Sequence, residues 1–276
     1  MYPHILKEHI EKCQAATNKP FAVNVPLLYP DIDKHIQTII DMGVKIVFTS
    51  AGNPKTYTSV LKQHGITVVH VVSSSKFAKK AEDAGCDAVV AEGFEAGGHN
   101  GREETTTLVL VPVVKKNISI PLIAAGGIAA GSQVLAAFAL GAEGVQVGSR
   151  FVCSTEASSH PNFKQAVLNA EEGDTLLSIK KVVPVRLLKN KFAAGIQQAE
   201  ALGADEEILK TMLGRGRAKK GMFEGDLEEG ELEIGQSSAL IYDIKPAAEI
   251  MHELWNDCRA AIKNLPFRGL HNSSSL

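Results

Sequence analysis

The chain has 276 residues, 45% of them hydrophobic and 22% charged, and a net charge of −2. That apolar content is enough for a sizeable core and excludes a mainly disordered chain, and the near-neutral charge gives no electrostatic basis for binding nucleic acid or an acidic membrane. No run approaches the ~18–20 unbroken apolar residues that span a bilayer.

The first thirteen residues mix Lys, His and Glu with apolar residues and lack a signal-peptide core. From residue 21 onward one theme repeats. Short β-branched apolar runs at Phe21–Val25, Val44–Thr49, Thr67–Val72, Asp87–Glu92, Pro121–Gly127 and Gly144–Phe151 alternate with amphipathic stretches at Asp33–Met42, Asn53–His64, Ser75–Ala84 and Ser132–Leu140. The runs are continuously apolar, so they predict strands buried on both faces. Ser75 and Ser132 are candidate helix starts, and Gly43, Gly65, Gly85 and Gly141 candidate stops. Strand–helix alternation implies a parallel sheet, either a closed (β/α)8 barrel or an open doubly wound sheet. Six strands fall two short of a barrel.

After Phe151 the pattern changes. Residues 154–240 carry charged segments, few strand signals and a glycine-rich run, which reads as a helical insertion or cap. Residues 246–264 predict one C-terminal helix with Pro246 at its start. The expected organisation is a barrel domain over 1–153 and 241–268, the insertion over 154–240, and a disordered tail over 269–276. Cys13, Cys86, Cys153 and Cys258 are far apart and form no C-x-x-C, which argues against a disulfide scaffold or a metal site and for a reducing cytoplasm.

The segment Ala91–Gly101, AEGFEAGGHNG, follows a strong strand and so sits on the face where parallel α/β folds bind ligands. His99 suits proton transfer near neutral pH; the plainer alternative is an incidental turn residue. Gly97 and Gly98 precede it and allow close backbone approach. Two further strand ends, AAGGIAA at Ala124–Ala130 and QVGSR at Gln146–Arg150, offer backbone N–H groups. They predict a phosphate held by Gly126, Gly127, Gly148 and Ser149, against two tight turns without a ligand. Asn24 lies inside an apolar strand and either satisfies neighbouring backbone or faces a ligand; Ser50, Gly52 and Asn53 are weaker candidates. The basic run Arg215, Arg217, Lys219 and Lys220 reads as a solvated helix end offset by acidic residues 224–233, and His160 as a turn residue. No dinucleotide fingerprint, P-loop or G-x-S-x-G elbow is present.

Together AEGFEAGGHNG, PLIAAGGIAAG, LGAEGVQVGSRF and HPNFKQAVLNA resemble the nitronate monooxygenase family, which includes the flavin-dependent enoyl-acyl-carrier-protein reductase II. The resemblance runs from about Lys19 to about Leu254. It implies a (β/α)8 barrel without its first two strands, a helical segment after the last strand, and non-covalent FMN. It places Asn24, Glu92, Gly97, Gly126, Gly127, Gln146, Val147, Gly148 and Ser149 at flavin-contact positions and His99 beside the flavin. Glu92 stands where the monooxygenases usually carry Gln and is similar to the reductase branch. The expected activity is FMN-dependent oxidation of an alkyl nitronate or nitroalkane with O2. The alternatives are NAD(P)H-dependent reduction of an enoyl thioester, and a truncated, non-catalytic barrel remnant. The partner implied is a small-molecule substrate, with a homodimer as a further expectation.

Overall fold

The computed structural model describes residues 2–265; the expected disordered tail, 269–276, lies outside the described residues. Helix α1 (Pro3–Ala16) leads into β1 (Ala22–Pro26), α2 (Ile32–Asp41) and β2 (Ile46–Ser50). A short 3-10 turn precedes α3 (Thr58–Gln63), followed by β3 (Thr67–Val72), α4 (Ser75–Asp83) and β4 (Ala88–Glu92). After a loop holding the two-residue strand β5 (Gly98–His99) come α5 (Thr107–Lys115), β6 (Leu122–Ala125), α6 (Gly131–Ala139) and β7 (Gly144–Gln146).

Strands β1, β2, β3, β4, β6 and β7 pair in that order, all parallel, as the six β-rich runs predict. The fold is of the (β/α) barrel class with six strands in place of eight; among the described residues β1 and β7 do not pair, so the sheet is open between them. Side chains alternate along each strand. Val23, Val47, Val68, Val89, Leu122 and Ala124 pack against the helices in the main core. Val69, Ala88, Val90 and Ala125, with Phe48 and Ile123, cover the other face. Glu92 pairs in register with Ala125, and Ala125 with Gln146, so these residues share one row at the C-terminal edge.

The run predicted as strand over Gly144–Phe151 is shorter. The strand stops at Gln146, and Ser149–Val152 forms helix α7. Ser74 rather than Ser75 caps α4, its hydroxyl accepting from the Phe77 N–H at 3.3 Å. The four predicted glycine stops each follow their helix by two residues.

The insertion holds helices α8 (Pro161–Leu168), α9 (Lys191–Ala201), α10 (Glu206–Leu213) and α11 (Arg217–Met222), but it is not purely helical. Strands β8 (Thr175–Ser178) and β9 (Val185–Leu188) pair antiparallel, and β9 also pairs with β5. The insertion therefore carries a sheet that continues into the loop before α5. It has two small cores, one around Phe163, Leu188 and Ile234 and one around Leu187, Phe192 and Ile196. The predicted C-terminal helix is α12 (Ala247–Lys263), packed on α6 with Ile250, Leu254 and Cys258 buried.

The basic run behaves as predicted: Lys219 pairs with Glu224 at 2.8 Å, Lys220 with Asp226 at 2.9 Å, and Arg217 donates to the Glu229 carbonyl at 2.7 Å. His160 caps α8, its Nδ1 accepting from the Asn162 N–H. Among the described residues all four cysteines are free thiols, no group of three or more His, Cys, Asp or Glu is placed to hold a metal ion, and no helix is long and apolar enough to cross a membrane.

Candidate functional site

A cavity of about 210 Å³ opens at the C-terminal ends of β4, β6 and β7, the face on which parallel α/β folds bind ligands. Seven of the predicted site residues border it: Glu92, Gly97, Gly126, Gly127, Gln146, Gly148 and Ser149. Residues 222–237 of the insertion close it from above through Met222, Glu233, Ile234 and Ser237.

Three predicted residues are not among its lining. Val147 turns its side chain into the helix–sheet core. Asn24 is exposed on β1, at the opposite edge of the sheet from β7. His99 is exposed on β5, where its backbone pairs with Val185.

The lining is built by backbone contact. Gly126 and Gly127 turn the chain after β6 with φ of 88° and 71°, a conformation costly for any residue with a Cβ. A Cβ at Gly126 would lie 2.7 Å from the Gly93 carbonyl oxygen, and one at Gly97 2.5 Å from the Gly235 nitrogen. Gly148 differs: a Cβ there would meet nothing within 4 Å, so the glycine leaves open space at the start of α7. The Gly235 N–H donates to Ser149 Oγ at 3.0 Å, and the Gln236 N–H to the Glu95 carbonyl at 2.9 Å. These bonds fix the returning insertion segment to both the α7 turn and the loop after β4.

Sequence reasoning missed the residues that hold this loop. Glu95 accepts from the Thr107 N–H and hydroxyl, both at 2.9 Å, tying the loop to the first turn of α5. Arg186 on β9 is 2% exposed. Its Nε donates to the Phe94 carbonyl, its Nη1 to Thr175 Oγ1, and its guanidinium stacks 4.4 Å over the Phe94 ring. Both act across long sequence separations, and a strand-by-strand reading carries no sign of them.

The ionisable residues of the lining are Glu92, Glu95 and Glu233; no Lys or Arg is among them. Burial raises the Glu92 carboxyl to about 7. Burial also raises Glu233, while the charge of His99 acts in the other direction. Near neutral pH Glu92 therefore holds a proton that an exposed carboxyl would release and can donate a hydrogen bond to a ligand oxygen, and Glu233 is shifted in the same direction.

Comparison with known proteins gives a consistent family. The family model described as nitronate monooxygenase matches residues 29–257. Probable nitronate monooxygenases of Staphylococcus saprophyticus and Staphylococcus aureus are 32% and 35% identical over 242 and 234 residues, 79% and 80% of this chain. The chain spans about two thirds of those relatives, 67% and 65% of their lengths. The structure of FabK from Thermotoga maritima is 41% identical with a TM-score of 0.90, over 95% of this chain and 83% of that one. A nitroalkane oxidase from Streptomyces ansochromogenes shares the fold, with a TM-score of 0.80 at 24% identity over 95% of this chain and 86% of that one.

Proposed function

Because the chain belongs to the nitronate monooxygenase family of oxidoreductases, we propose that it is an FMN-dependent enzyme whose flavin phosphate lies on the glycine turns after β6 and β7. One observation carries this reading: glycines from two neighbouring strand ends border the same cavity, with unfilled space at Gly148. Those residues fit the group. Backbone N–H groups and the Ser149 hydroxyl are phosphate ligands by chemistry, and the Glu95 carboxylate beside Gly127 is already satisfied by Thr107. Bound there, the flavin supplies two-electron redox chemistry, while this chain supplies binding, orientation and protons.

For the substrate, reduction of an enoyl thioester with NAD(P)H has the stronger support. The FabK structure is 41% identical over nearly the whole chain, and FabK is an enoyl-acyl-carrier-protein reductase II. Glu92 also favours a neutral acceptor. An anionic nitronate against Glu92 requires the carboxyl to stay protonated, a growing cost above about pH 7, whereas a thioester carries no charge at its reacting carbons. Nitronate oxidation is the second reading, favoured by the names of the curated relatives.

The test is an absorption spectrum of the purified chain with flavin identification, followed by two assays. Stoichiometric FMN with NAD(P)H oxidation that depends on an enoyl thioester is the expected result. Nitronate-dependent oxygen uptake without NAD(P)H selects the second reading. A colourless chain that takes up no added FMN overturns both.

A further inference from the structure

The insertion does more than cover the cavity. Along one edge of β9, Val185 faces His99, Arg186 faces Gly98, and Leu187 bridges to Glu233. The strand therefore sets Glu233 next to the Gly98–His99 pair, although 134 positions separate Glu233 from His99. The contact is close: a Cβ on Gly98 would lie 2.6 Å from Glu233 Oε2. The two side chains occupy different environments. Glu233 borders the cavity and is half-buried, whereas His99 is exposed and is not part of the lining.

We propose that Glu233 is the acid that faces the ligand in this cavity, and that His99 is its solvent-side partner, returning the proton that Glu233 gives up. The inference rests on the enoyl thioester reading for its reaction. Hydride transfer to the β-carbon moves the C=C electron pair onto the α-carbon, which must then take a proton. Glu233 gives that proton and becomes a carboxylate, His99 reprotonates it, and solvent reprotonates His99. NAD(P)H is the source of the hydride, which itself carries the two electrons of the reduction.

Burial keeps the Glu233 carboxyl protonated above the ordinary carboxylate range. The groups around it are few. His99 on β5 pulls its pKa down. Glu231, two residues away on the same segment, is itself raised to about 7, first by burial and then by Glu233, with Arg217 of α11 opposing. Glu92 and Glu95 lie in the same cavity lining. A half-buried acid beside an exposed histidine suits a relay, because the inner group holds its proton until the reaction demands it and the outer group exchanges with water.

The test has two arms. The first is infrared titration of the chain without added flavin, comparing wild type with Glu233→Gln and with Glu92→Gln as a control. Glu92 and Glu231, both raised to about 7, contribute to the protonated-carboxyl band of wild type, so the expected result is a component of that band, persisting above the ordinary carboxylate range, that is missing in Glu233→Gln and kept in Glu92→Gln. The same band in wild type and Glu233→Gln would overturn the proposal. The second arm is steady-state kinetics with an enoyl thioester. Glu233→Gln should lower kcat about a hundred-fold with little change in KM, and Glu233→Asp should recover part of the loss. Wild-type kcat in Glu233→Gln would also overturn it. A wild-type chain with the band but no thioester turnover refutes the reaction and leaves the proton-holding role to the infrared arm alone.

Discussion

Replacing Glu92 with Gln tests how far the site is built against stability. The side chain stands at the C-terminal end of β4, and burial alone raises its carboxyl from 4.5 to about 7. Each pH unit between folded and unfolded pKa is worth about 1.4 kcal/mol, so the full effect is at most about 3.5 kcal/mol. The sign follows from which state holds the proton. Below about pH 4.5 both states are protonated and the residue costs nothing. As pH rises, the unfolded chain ionises while the folded chain still holds its proton, so stability falls until the loss is complete near pH 7. Glutamine has the same shape and does not titrate. Glu92→Gln should therefore match wild type near pH 4.5 and be up to about 3.5 kcal/mol more stable above pH 7. Urea denaturation across that range, fitted for the unfolding free energy at each pH, measures the difference. A gap between the two proteins that stays constant with pH would refute the desolvation argument.

Three other expectations follow from different parts of the molecule. His70 on β3 is buried with its Nδ1 2.7 Å from the Thr49 hydroxyl, and burial, aided by Lys80, lowers its pKa to about 4. Its stabilising neutral form is fully present above about pH 6.5 and is lost as pH falls toward 4, so thermal unfolding should show a decline of up to about 3.5 kcal/mol that His70→Gln flattens. Gly126→Ala and Gly148→Ala should separate folding from binding. The first meets the Gly93 carbonyl at a positive φ and should cost about 2 kcal/mol or more in a denaturation curve. The second enters open space, so stability should stay within about 0.5 kcal/mol while FMN affinity falls by roughly ten-fold; unchanged FMN binding would remove Gly148 from the phosphate site. Glu95→Ala frees the Thr107 N–H at the start of α5 and should cost about 1–2 kcal/mol, with faster hydrogen exchange between residues 93 and 107; unaltered exchange there would mean that the loop is held elsewhere.

The strands were legible because they fall in short, mostly apolar runs and because a parallel sheet repeats one local pattern. The last run misled where periodicity gives no stop signal: Val147 and Phe151 continue the apolar pattern, yet the strand stops at Gln146 and α7 begins at Ser149. Helix α5 escaped for the opposite reason. Its sequence, TLVLVPVVK, buries Leu110, Val111 and Val114 but also exposes Leu108, Val109 and Val113, so no polar face marks the helical period, and Pro112 inside it reads as a breaker.

The site divides the same way. Glycines at strand ends announce themselves, because their positions follow from local turn chemistry once the strands are known. Glu233 does not. It lies in an acidic stretch whose neighbours balance the basic run, and only the antiparallel pairing of β5 with β9 and the bridge from Leu187 bring it to Gly98. That pairing joins the two-residue β5 to the four-residue β9, and β9 lies within a segment whose charges outnumber its strand signals. Local patterns thus specify the open sheet and its glycine turns. The acid partner of His99 emerges only from the long-range pairing of the insertion, so the chemistry at this cavity depends on the part of the chain that the sequence describes least.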